Sequence, residues 1–112
     1  MKILILEDND ERITVFKRKL FKHQLDIVKH AYEAVELLSN NVYDLIFLDH
    51  DLNSKQMEYD KEDCGMIVAE YLRDNNITTK VIIHSFNPVA SKNMLAILPN
   101  ATYQPAAWNL IQ

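Results

Sequence analysis

Glycine occurs once in this sequence, at Gly65, and cysteine once, at Cys64. The shortage of glycine excludes a phosphate-cradling loop, because P-loops and dinucleotide-binding turns need several glycines for the backbone to approach phosphate closely. It also leaves the turns to asparagine and aspartate, as at Asn40-Asn41 and Asn75-Asn76. A lone cysteine can form neither an internal disulfide nor a thiolate metal cage, and it suits a reducing cytoplasm. Long apolar runs are also missing. The run from Ile3 to Leu6 is too short for a signal-peptide core, and nothing approaches a membrane span. No basic run exceeds Lys17-Arg18-Lys19, and 16 acidic against 12 basic residues give a net charge of −4. Duplex DNA is therefore not an expected partner. No linker composition, repeat or low-complexity segment divides the chain, and 112 residues suit one domain over 1–112.

What the chain does have is a set of short runs of branched apolar residues: Ile3 to Leu6, Leu45 to Leu48 and Val81 to Ile83. None alternates with polar residues, the pattern of parallel strands covered on both faces. Leu25 to Val28 and Ala101 to Tyr103 are weaker strand candidates, and helical spacing fills the intervals. The first helix begins near Asp10 and is expected to bury Ile13, Phe16, Leu20 and Phe21, with Lys17, Arg18 and Lys22 facing solvent. The second covers about Ala31 to Leu38. The third covers about Asp63 to Arg73, burying Ile67, Val68, Tyr71 and Leu72. The fourth has Asn87 as N-cap and Pro88 at the first helical position, where the missing N–H costs nothing.

Each strong strand ends in residues that can do chemistry: Glu7-Asp8, Asp49-His50-Asp51 and His84-Ser85. In a parallel sheet these ends lie side by side, in the crevice where open α/β folds bind ligands. Several carboxylates crowded there must take up protons or recruit a cation. All-oxygen ligation by carboxylates favours Mg²⁺ or Mn²⁺, and Mg²⁺ keeps waters that a phosphate oxygen can replace. Acidic residues at strand ends and helix caps also have a plainer use, which fits Asp10 and Asp63 better than the cluster.

The stretches Leu6-Glu7-Asp8, Asp44 to Asp49, Asp63-Cys64-Gly65 and Ile83-His84-Ser85 resemble the acidic pair, phospho-acceptor strand, Asp-Gly helix start and Thr/Ser strand end of response-regulator receiver domains. The resemblance covers nearly the whole chain. It implies a three-layer flavodoxin-like α/β fold with a five-stranded parallel sheet of order 2-1-3-4-5. It places Asp49 as phospho-acceptor, Glu7 and Asp8 as metal ligands, and Ser85 as the hydroxyl facing the phosphoryl group. Two departures stand out. Gln104-Pro105 replaces the family's lysine before proline, and with the chain ending at Gln112, Trp108, Leu110 and Ile111 make only a truncated last helix.

Cyclic-phosphate-processing receiver domains are a closer resemblance, carried by Leu6-Glu7-Asp8, Asp49-His50-Asp51-Leu52 and His84-Ser85-Phe86-Asn87. It implies a hydrolase of cyclic phosphates, at RNA ends or on nucleotides, with Asp8, Asp49 and Asp51 around the metal. His50 and His84 titrate near neutrality and can exchange protons with a phosphate diester. His84 also has the reading of a core histidine bonded to a neighbouring carbonyl. Arg12, in the first turn after the first strand, can grip phosphate in place of the lysine or remain a solvated helix residue paired with a nearby acid. Asn87 is an N-cap first and a phosphate contact second. His23 and His30 belong to the surface. A stand-alone receiver phosphorylated on Asp49 by a histidine kinase, and an unreactive pseudo-receiver that binds an effector protein, are the alternatives.

Overall fold

The structure is a computed structural model that describes residues 1–49, 64–84 and 88–104. Its strands are β1 (Lys2–Leu6), β2 (Gln24–Val28), β3 (Leu45–Leu48), β4 (Lys80–Ile83) and β5 (Thr102–Tyr103). They form one parallel sheet of order β2-β1-β3-β4-β5. The helices α1 (Asp10–Lys19), α2 (Ala31–Asn40), α3 (Gly65–Asp74) and α4 (Pro88–Ile97) alternate with the strands. This is the flavodoxin-like receiver fold.

The strands lack polar alternation because both faces of the sheet are covered. On one face Leu4, Leu6, Ile46, Leu48 and Ile83 meet Ala34 and Leu38 of α2, Val68 and Leu72 of α3, and Met94 of α4. On the other, Ile3, Ile5, Leu45, Phe47 and Ile82 meet Phe16 of α1 and Leu20 just beyond it. Full burial of each such side chain contributes about 1.5–3 kcal/mol. Among the described residues no helix is long and apolar enough to cross a membrane.

Phe21 departs from expectation: it is 72% exposed. The helix α1 ends at Lys19, and Leu20, whose N–H closes on Phe16 O, takes the core position. Consecutive residues cannot share one helix face, so Phe21 is turned outward with Lys22 Nζ 5.9 Å from its ring. Ile67 and Tyr71 are only partly buried, packed on the margin of the α2–α4 cluster. The N-cap of α3 is Cys64 and its end reaches Asp74, while Asp63 lies outside the described residues. Pro88 does open α4; Asn87 and the expected truncated last helix also lie outside them.

Asparagine does take over a glycine's work at the end of α3. Asn76 has φ 55°, in the left-handed region. The Asn76 N–H donates to Arg73 O and the Ile77 N–H to Leu72 O, the paired bonds of a Schellman stop.

Candidate functional site

Ladder pairing runs one residue past the strands. The Glu7 N–H donates to Val28 O at 3.0 Å, Asp49 N–H to Leu6 O at 3.2 Å and His84 N–H to Leu48 O at 2.9 Å. Glu7, Asp49 and His84 thus stand in one row across β1, β3 and β4. Each follows a residue whose side chain faces α2–α4, so strand alternation turns all three towards α1. They are 0%, 2% and 1% exposed, and they offer ligand atoms within 4.8 Å of one another.

The residue that α1 brings to this row is Arg12. Asn9 caps the helix, its side chain accepting from the Arg12 N–H at 3.0 Å, which fixes Arg12 in the first turn. The guanidinium then grips Glu7 with both ends, Nε to Oε1 and Nη2 to Oε2 at 2.9 Å each. Nη2 also reaches Asp49 Oδ2 at 3.2 Å. Glu7 accepts further from the backbone N–H groups of Asp8 and Asn9, at 3.1 and 3.0 Å, and faces His84 Nε2 at 2.9 Å.

An ionised carboxylate only accepts, so His84 must donate from Nε2. Its Nδ1 is buried without a partner among the described residues, which suits the bare lone pair of a neutral imidazole. Burial pushes the His84 pKa down, with Arg12 adding to the fall and Glu7 opposing it. The ring is wedged edge-on against Phe16 and Phe47, with centroids 5.2 and 6.3 Å away.

The two carboxylates are driven apart electrostatically. Burial alone would raise Glu7, but hydrogen bonds from His84 and Arg12 outweigh it and hold Glu7 down at about 2. Burial, then the negative charge of Glu7, pushes Asp49 up to about 7 against the pull of Arg12. A further cation would relieve Asp49 most.

Of the residues expected in the site, Glu7, Asp49, His84 and Arg12 come together here, and Asp8 is partly buried beside them, adjoining Glu7 in the chain. His50, Asp51, Ser85 and Asn87 lie outside the described residues. His23 Nδ1 is 3.1 Å from the terminal amine, and His30 precedes α2, where Glu33 accepts from its N–H at 3.2 Å. For His84 the sequence offered a neighbouring carbonyl as its structural partner, and the partner found is the Glu7 carboxylate; for Arg12 it allowed pairing with a nearby acid, and the acids are Glu7 and Asp49. The apolar β1, β3 and β4 runs held a signal: counting alternate residues out from each core position puts Glu7, Asp49 and His84 on one face.

Solved receiver structures share this architecture. The receiver domain of a Francisella response regulator superposes with a TM-score of 0.71 at 23% identity, over 93% of this chain and 84% of that one. The receiver domain of a sensor histidine kinase from Pseudomonas aeruginosa, with a magnesium ion coordinated in its active-site cleft, gives 0.72 at 23% identity, over 92% and 82%. Response regulator TrrA from Thermotoga maritima, in complex with Mg²⁺–BeF, gives 0.71 at 19% identity, over 92% and 85%. In sequence, 54 residues are 39% identical to the autoinducer 2 sensor kinase/phosphatase LuxQ of Vibrio harveyi. That match spans 46% of this chain and only 6% of LuxQ. The family model of the cyclic-phosphate processing receiver domain matches residues 2–100, all five strands but the last among them, and the chain belongs to that family.

Proposed function

We propose that this domain is a divalent-metal-dependent enzyme that hydrolyses a cyclic phosphate, such as a nucleotide or an RNA end, in a cytoplasmic setting. The observation that carries the proposal is the guanidinium of Arg12 set between Glu7 and Asp49. It supplies a phosphate-binding cation in the crevice of a chain that has Gln104 before Pro105 where receivers have lysine.

Residues suited to Mg²⁺ or Mn²⁺ are present: Asp8 and Asp49 offer carboxylate oxygens, with Asp51 expected to join them, and the raised pKa of Asp49 marks an unmet need for positive charge. A bound ion of this kind would polarise a non-bridging phosphate oxygen. Arg12 would hold another such oxygen, and Ser85 and Asn87 would complete the phosphate contacts. His50 is the group we assign to proton transfer, because His84 is sealed from solvent and committed to Glu7. His84 would instead keep Glu7 ionised and turned towards Arg12.

The test is turnover of 2′,3′-cyclic nucleotides with Mg²⁺ or Mn²⁺ by the wild-type chain, Asp49→Asn and His50→Ala. Metal-dependent ring opening lost in both variants is expected. An unreacted substrate pool with the wild-type protein, across nucleotides and both metals, would refute the hydrolase.

The partial identity to a sensor kinase, and Asp49 at the end of β3, favour a second reading in which a histidine kinase phosphorylates Asp49. Incubation with acetyl phosphate and Mg²⁺ would then add one phosphoryl group to the intact mass, and Asp49→Asn would prevent it.

A further inference from the structure

Arg12 stands where a metal reading of the crevice needs a cation. It holds Glu7 by two hydrogen bonds of 2.9 Å and meets Asp49 by a single one of 3.2 Å. Glu7 has three more donors, from Asp8, Asn9 and His84. An ionised carboxylate offers about four lone-pair sites, so Glu7 is saturated and has nothing left for a metal ion. Among the described residues Asp49 accepts from Arg12 alone, at 3.2 Å, so it keeps acceptor capacity that Glu7 lacks, and of these two carboxylates it holds Arg12 the more weakly.

We propose that Arg12 is a resident counter-cation of Asp49 that a divalent metal ion displaces, while Glu7 acts as a positioning residue that keeps the guanidinium in the crevice to meet phosphate. A dication on Asp49 and a guanidinium on the same carboxylate repel strongly at such distances in a partly desolvated site. The bidentate hold of Glu7 survives that repulsion because it uses a different carboxylate, itself backed by two backbone N–H groups and His84. Metal entry and presentation of Arg12 to an anion are then one event. Without metal the guanidinium is shared between the two carboxylates, and with metal it is turned to an anion. This rests on the metal and phosphate reading of the site, but it requires only that both bind there, whether or not any substrate turns over.

Binding measurements without turnover separate the two. Mn²⁺ is titrated into metal-free wild-type protein, Arg12→Gln and Arg12→Lys, with free Mn²⁺ counted by electron paramagnetic resonance. Inorganic phosphate is then titrated into the Mn²⁺-loaded proteins. Loss of the competing charge should tighten Mn²⁺ binding by about tenfold or more in Arg12→Gln. The same variant should lose about tenfold in phosphate affinity, while Arg12→Lys, which keeps the charge, should recover part of it. Equal or weaker Mn²⁺ binding by Arg12→Gln, phosphate binding indifferent to Arg12, or no Mn²⁺ binding by any of the three proteins would overturn the proposal. A reading that does not depend on any variant folding is the ¹⁵Nη–H resonance of the Arg12 guanidinium in the wild-type protein, since Nη2 is the atom that meets Asp49. It should shift with the midpoint of Mg²⁺ binding, and a resonance that stays in place while metal binds would overturn the proposal equally.

Discussion

Replacing Asp49 by asparagine should make the metal-free protein more stable at pH 8, although Asp49 is the centre of the site. Its carboxyl is 2% exposed, and burial with the charge of Glu7 raises its pKa from 3.8 to about 7. A group whose folded pKa exceeds its unfolded value stabilises the fold fully below the unfolded pKa and loses that contribution as pH rises through the folded one. Three units at about 1.36 kcal/mol each give a loss of about 4 kcal/mol between pH 4 and pH 8. Asparagine keeps an oxygen for Arg12, and it carries no charge to desolvate. Asp49→Asn should therefore exceed the wild type by about 2–4 kcal/mol at pH 8, or about 10–20 °C in Tm for a domain of this size, and match it near pH 4. Urea unfolding in EDTA across pH 5 to 8 measures the difference directly. Glu7, held at about 2, stays ionised in the fold across that window. Equal stabilities at pH 8, or a gap that fails to shrink as pH falls, would refute the placement of a carboxylate there whose burial outweighs its pairing with Arg12.

Glu7 carries the opposite sign. Its pKa is held down at about 2, so its contribution is present above 4.5 and is lost as pH falls from there towards 2. Glu7→Gln should cost about 3 kcal/mol in urea unfolding at pH 7, because Arg12 and His84 lose their ionised acceptor, and the deficit should narrow through that acid window. Phe21→Ser tests the fold rather than the site: at 72% exposure the ring lies outside the core, and unfolding free energy should change by no more than about 0.5 kcal/mol. A loss of several kcal/mol, as Phe16→Ala in the core should give, would mean that Phe21 is packed.

The runs Ile3 to Leu6, Leu45 to Leu48 and Val81 to Ile83 made the parallel sheet legible, since strands covered on both faces have no polar side to alternate with. Their polar ends marked the crevice in the sequence itself, because parallel pairing aligns strand ends whatever the rest of the chain does. Pro88 showed the start of α4, and the asparagine pairs marked turns, through backbone constraints local to those residues. Phe21 was misplaced because helical periodicity does not say where a helix ends; with the stop at Lys19, Leu20 kept its expected core place and Phe21 turned outward. Residues far apart in sequence were beyond such reasoning. That His84 would be buried against Phe16 and Phe47 and bonded to Glu7, 77 residues away, depended on which strands became neighbours and on the side to which each turned its last residue. The state of each group followed from the same neighbours. A carboxylate's charge is set by the donors and acids within a few ångströms, so sequence could name Glu7 and Asp49 as acids, and only tertiary packing made one strongly acidic and the other poised near neutrality.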